Sequence, residues 1–124
     1  MPKILIVDDD PDCVELLSIH LLRKGHAVVG AKDGPDALER AAWERPDLIL
    51  LDLRMPAVDG IRVIEILRSN ELTAATPIVL MSASDRAWAM RRLAEDELTR
   101  FLEKPLDFEK LDALCDEFLP AARP

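Results

Sequence analysis

Two adjacent acids, a third acid far along the chain, a hydroxyl and a lysine each stand directly after a short apolar run. Ile4-Leu5-Ile6-Val7 leads into Asp8 and Asp9, and Leu48-Ile49-Leu50-Leu51 leads into Asp52. Pro77 to Met81 leads into Ser82, and Phe101-Leu102-Glu103 leads into Lys104-Pro105. Carboxylates brought together resist joint ionisation, and a hard, oxygen-seeking cation such as Mg²⁺ relieves them. One of them can then attack phosphorus and form an acyl phosphate. The charge spread over the transferring group needs donors, and an ammonium and a hydroxyl supply them. Taken singly, each residue has a plain structural reading: an acidic loop, a helix cap at Asp10, a solvated lysine, a turn serine. Their shared position at the ends of apolar runs is what points to phosphoryl transfer, because open parallel sheets place ligand sites at strand C-termini.

The elements that must position them alternate strand and helix. Residues 3–8 read as a strand covered on both faces. Asp10-Pro11 opens a helix that carries Val14, Leu17 and Leu21 on one side and closes at Gly25. Ala27-Val28-Val29 is a short second strand, and Asp33-Gly34-Pro35 turns the chain into a helix over 35–44, before Pro46. A third strand covers 48–52, and Asp59-Gly60 starts a helix with Ile61, Ile64 and Leu67 on its apolar side. A fourth strand at 78–82 precedes a helix capped by Asp85 and expected to run about ten residues. Thr99–Glu103 is the fifth strand, and Asp107 caps a last helix bearing Phe108, Leu111, Leu114, Cys115 and Phe118 on its apolar face. Five β/α units in this order imply a doubly wound parallel sheet with right-handed crossovers. Residues 1–119 read as one domain, with 120–124 as a tail or the start of a linker.

The chain has 124 residues, 24 acids against 16 bases and a net charge of −8. Such a balance repels nucleic acid and anionic membranes, so direct binding to either is not expected. No apolar stretch reaches the roughly 20 residues that span a bilayer, and Met1-Pro2-Lys3 runs straight into a strand without a signal peptide. A cytoplasmic location is the expectation. Cys13 and Cys115 have no CxxC partner and read as reduced thiols in or near the core. Trp43, Met81 and Met90 read as packing residues, whereas Trp88 fits a partner anchor and a packed side chain equally. His20 and His26 have no acid and base of their own in the sequence pattern, so a donor histidine is expected on another protein.

In its order and spacing of motifs, the chain resembles the receiver domains of two-component response regulators, of the chemotaxis-regulator kind. The matching residues are Ile-Val-Asp8-Asp9-Asp10, Asp52-Leu-Arg-Met-Pro-Ala-Val-Asp59-Gly60, Pro77-Ile-Val-Leu-Met-Ser82-Ala83 and Lys104-Pro105. The resemblance implies a flavodoxin-like (βα)5 three-layer α/β/α sandwich whose strands run in the order 2-1-3-4-5. It implies Asp52 as phospho-acceptor, with Asp8, Asp9, Asp52 and the backbone carbonyl of Arg54 around Mg²⁺, for which Mn²⁺ can substitute. It implies Ser82 and Lys104 on the phosphoryl oxygens, Phe101 as the aromatic switch residue and a cis bond before Pro105. Partners implied are a histidine kinase or histidine phosphotransfer protein, and a downstream protein meeting the face of the fourth helix, fifth strand and fifth helix. Such a domain phosphorylates and dephosphorylates itself and is not a turnover enzyme. A phosphatase acting through an aspartyl phosphate would favour an acid at position 54, where this chain has Arg54. A pseudo-receiver that is never phosphorylated would need none of the five polar residues. Three departures stand out: Glu95-Asp96-Glu97-Leu98 replaces a small, Gly-containing stretch, Phe101 lacks the tyrosine hydroxyl, and Leu106 stands where Phe is common.

Overall fold

The computed structural model describes residues 1–53, 60–83, 86–93 and 95–119. The apolar runs become strands β1 (Lys3–Val7), β2 (Ala27–Ala31), β3 (Leu48–Asp52), β4 (Ile78–Ser82) and β5 (Thr99–Glu103). They pair in parallel in the order β2-β1-β3-β4-β5. β3 and β4 are buried along their whole length, and β1 from Ile4 onward, as suits central strands covered on both sides.

Five helices cover the two faces: α1 (Pro11–Arg23), α2 (Gly34–Glu44), α3 (Gly60–Ser69), α4 (Arg86–Arg92) and α5 (Phe108–Phe118). Period-2 alternation sends Leu5, Val7, Ile49, Leu51 and Leu80 to one face, where they meet residues of α2, α3 and α4. It sends Ile4, Ile6, Leu50, Val79 and Met81 to the other, against Leu17, Leu21, Leu111 and Cys115 of α1 and α5. Both cysteines are free, Cys115 buried and Cys13 half-buried. The caps fall on aspartates: Asp10 accepts from the Asp12 N–H, Asp33 from that of Asp36, and Asp107 from those of Glu109 and Lys110. No helix among the described residues is long and apolar enough to cross a membrane.

Several expectations are corrected. β2 extends to Ala31 rather than stopping at Val29, because its register with β1 runs on through Gly30 and Ala31. α4 has seven residues, not about ten. Past Leu93 the Asp96 side chain accepts from the Leu98 N–H at 3.0 Å, a local bond that competes with continued helix. Met90 is exposed, since its neighbour Ala89 takes the core-facing position on α4. Trp43 is 81% exposed, because α2 turns Gly34, Ala37 and Ala41 inward and leaves position 43 on the opposite side. Trp88 is 41% exposed and lies under the Arg92 guanidinium, 5.3 Å from its ring centroid. His20 does have an acid beside it: its Nε2 lies 2.8 Å from Asp112 Oδ1 while its ring stacks on Phe108, a tie between α1 and α5. Asp59, Asp85 and the tail 120–124 lie outside the described residues.

Candidate functional site

The parallel pairing of β1, β3, β4 and β5 brings every strand C-terminus to one rim. Asp8 follows β1, Asp52 is the last residue of β3, Ser82 the last of β4, and Lys104 follows β5. Asp8, Asp52 and Ser82 are buried, while Asp9 is exposed. One carboxylate oxygen from each of Asp8, Asp9 and Asp52 falls within 4.8 Å of the others. Lys104 Nζ lies 3.2 Å from Asp8 Oδ2 and 3.7 Å from Asp52 Oδ1.

Local structure fixes each side chain. The Asp8 N–H donates to Ala31 O at 3.2 Å, and the Asp10 N–H donates to Asp8 Oδ1 at 3.0 Å. The Lys104 N–H donates to Ser82 O at 2.8 Å, which ties the ends of β4 and β5 together just where their polar residues emerge. The Lys104–Pro105 bond is cis. Gly60 lets α3 begin directly on the end of β3: an added Cβ would lie 2.8 Å from Leu53 Cα and 3.1 Å from Asp52 O. Phe101 sits mid-strand in β5, half-buried against the α2–α4 side of the core. Arg54, expected to offer its carbonyl, lies outside the described residues.

The electrostatics follow from crowding. Burial alone would raise the Asp8 carboxyl, yet the Asp10 N–H, the Cys13 thiol and the Lys104 charge together hold it below its ordinary value. Burial alone would lower Lys104, but Asp52 and Asp8 outweigh it and raise the ammonium above its usual range. The sequence reads Cys13 as a buried or half-buried reduced thiol and gives it no part in the site. Here it contacts the Asp8 carboxylate, and burial followed by that contact pushes it up to about 12. Its place one helical turn into α1, just past the acids, was the available signal.

Among the described residues, three carboxylates beside one ammonium make a net anionic cluster whose metal donors are all oxygen. That chemistry fits a hard divalent cation that keeps waters and engages phosphate. It does not suit a soft metal, which would want thiolate or imidazole.

A family model described as "Response regulator receiver domain" matches residues 4–116. The chain is 40% identical to the transcriptional activator protein PfeR of Pseudomonas aeruginosa over 98% of its own length and 39% of that protein's. It thus spans less than half of that relative. Its fold superposes on chemotaxis protein CheY4 of Vibrio cholerae with a TM-score of 0.88 and 28% identity, covering 96% of this chain and 99% of that one. Response regulator TrrA of Thermotoga maritima, solved in complex with Mg²⁺ and BeF, gives a TM-score of 0.83 at 28% identity, over 96% and 100% of the two chains.

Proposed function

This chain belongs to the response regulator receiver domain family, and from that premise we propose that Asp52 accepts a phosphoryl group from a phosphohistidine of a histidine kinase or phosphotransfer protein. The observation that carries the reading is Lys104 Nζ held between Asp8 and Asp52, at 3.2 and 3.7 Å, beside a third carboxylate on Asp9. In the transfer, an Asp52 carboxylate oxygen forms a bond to phosphorus. The phosphorus–nitrogen bond to the donor imidazole breaks, and its electron pair returns to that nitrogen. Lys104 offers its ammonium to a phosphoryl oxygen, and the Ser82 hydroxyl, at the end of the neighbouring strand, donates to another. Asp8, Asp9 and Asp52, with the Arg54 carbonyl, would hold Mg²⁺ or Mn²⁺, which when bound neutralises the acids and the phosphoryl oxygens.

Water attacking the acyl phosphate restores the Asp52 carboxylate and releases inorganic phosphate. The domain is accordingly a substrate of its own chemistry and not a turnover enzyme. Its receiver unit is residues 1–119, and its place of work is the cytoplasm. The output is a changed surface on α4, β5 and α5, where Phe101 is half-buried and Trp88 exposed. A downstream protein reads that face.

Incubation with acetyl phosphate and Mg²⁺, followed by intact mass measurement, tests the proposal. One base-labile phosphoryl adduct is expected, absent from Asp52→Asn. An adduct that survives that substitution, or none on the wild-type chain, would remove Asp52 from the role.

A further inference from the structure

Arg86, the first residue of α4, places its guanidinium carbon 5.7 Å from the centroid of the Phe101 ring. Phe101 pairs with Leu80 in the β4–β5 register, and Ser82 pairs with Glu103. Ser82 therefore stands diagonal to Phe101 on the same face of the sheet, within the reach of an aromatic side chain. One stretch of chain leads from Ser82 to Arg86, with Arg86 over the ring and Ser82 one diagonal step from it in the register.

We propose that Arg86 is a positioning residue that holds the Phe101 ring in its half-exposed place and thereby weakens the grip of the Asp52 rim on a phosphoryl group. The inference rests on the phospho-acceptor reading above. If Ser82 moves toward a phosphoryl oxygen, the space beside the ring changes, and a ring tethered to Arg86 resists filling it. Coupling is reciprocal: whatever favours the resting ring position disfavours the phosphoryl-bound state by the same factor. A planar guanidinium suits this better than an ammonium, because it stacks on an aromatic face as well as attracting it.

The sign of the effect separates this from simple charge attraction. Removing a cation near an anion site should loosen the anion. Releasing the ring should tighten it.

The test uses the full chain labelled with 4-fluorophenylalanine, which reports three rings, Phe101, Phe108 and Phe118. Phe101→Leu assigns the relevant fluorine signal. Beryllofluoride is then titrated at fixed Mg²⁺ into wild type, Arg86→Gln, Arg86→Lys and Arg92→Gln. The last removes an equal charge from the same helix, where Arg92 covers Trp88 instead. Arg86→Gln should shift the Phe101 signal and tighten beryllofluoride about 2- to 5-fold. Arg86→Lys should fall between it and wild type, and Arg92→Gln should leave both readouts unchanged. Looser or unchanged binding in Arg86→Gln overturns the proposal, as does equal tightening in Arg92→Gln. Failure of the wild-type chain to bind beryllofluoride would sink the phospho-acceptor reading itself, and this inference with it.

Discussion

The two rims of the sheet are built from the same ingredients and end in opposite states. At the C-terminal rim, Lys104 faces Asp8 and Asp52 with Asp9 alongside, three carboxylates against one ammonium. At the opposite rim, Arg68 donates to Asp96 at 3.0 Å, to Thr99 Oγ1 at 3.1 Å and to the carbonyls of Thr73, Ala74 and Thr76. Asp96 in turn accepts from Thr99 Oγ1 at 2.8 Å and from the Leu98 N–H. One arginine and one aspartate thus close a neutral network that joins α3, the α3–β4 connection and the start of β5. Among the described residues, the first rim sets three carboxylates against one ammonium, a donor set that suits a divalent cation. The second satisfies itself. Separating them lets the fold be held at one edge while the other stays poised for binding, the usual division between stability and function.

The comparison can be broken at its strongest point first. Asp52→Asn should abolish the phosphoryl adduct while leaving the fold intact, read by mass and by circular dichroism. Loss of fold together with the adduct would show that the C-terminal rim also holds the structure. At the other edge, Arg68→Ala should cost about 2–3 kcal/mol in urea unfolding, since it strands the half-buried Asp96 and three carbonyls. Its Mg²⁺ affinity should match wild type. An Arg68→Ala protein that unfolds at the wild-type midpoint would mean the network is ornamental. Smaller again, Asp9→Asn should weaken Mg²⁺ at least about 10-fold. Saturating Mg²⁺, at a hundred times its dissociation constant, should stabilise the wild type by about 2.7 kcal/mol. Equal stabilisation of Asp9→Asn would take that carboxylate out of the ion's shell.

The gathering of the candidate site residues at one rim was legible in the sequence and the network at the other was not, for a physical reason. Asp8, Asp52, Ser82 and Lys104 each terminate an apolar run, so strand direction alone assembles them. Arg68 lies near the end of α3, Asp96 in the acidic connection after α4 and Thr99 at the start of β5, so no shared pattern marks them and only the tertiary fold brings them together. Glu95-Asp96-Glu97-Leu98 was visible as a departure from the family pattern, but its meaning was not. With Asp96 bonded to Arg68, an acid there is a structural anchor. Trp43 and Met90 are exposed because helical phase, not hydrophobicity, decides which positions face the core. Ala41 and Ala89, the smaller residues beside them, occupy the inward positions. The cap at Asp107 was readable because Asp has a local reason to begin a helix, whereas the role of Asp96 depends on a contact with Arg68, 28 residues away.

The finest prediction contrasts the rims by pH. Burial would raise the Asp96 carboxyl, but bonds from Arg68 and Thr99, the Arg68 charge and the Leu98 N–H outweigh it and hold it below 3.8. The native state therefore binds fewer protons than the unfolded chain between the two values, and stability rises with pH across that interval. The contribution is complete above about pH 4 and is lost as pH falls through the native value. Lys104 has the opposite sense. Asp52 and Asp8 raise it above 10.5 despite its burial, so its contribution is complete below that value and fades as pH climbs through the native one. The stability gap between wild type and Asp96→Asn should accordingly close in acid and stay constant in base, while that between wild type and Lys104→Met should close in base as Lys104 loses its proton and narrow in acid as Asp8 gains one. Unfolding free energies across the full pH range provide the measurement. An Asp96→Asn curve parallel to wild type throughout the acid range would mean that the native state gives this carboxylate no more than water does.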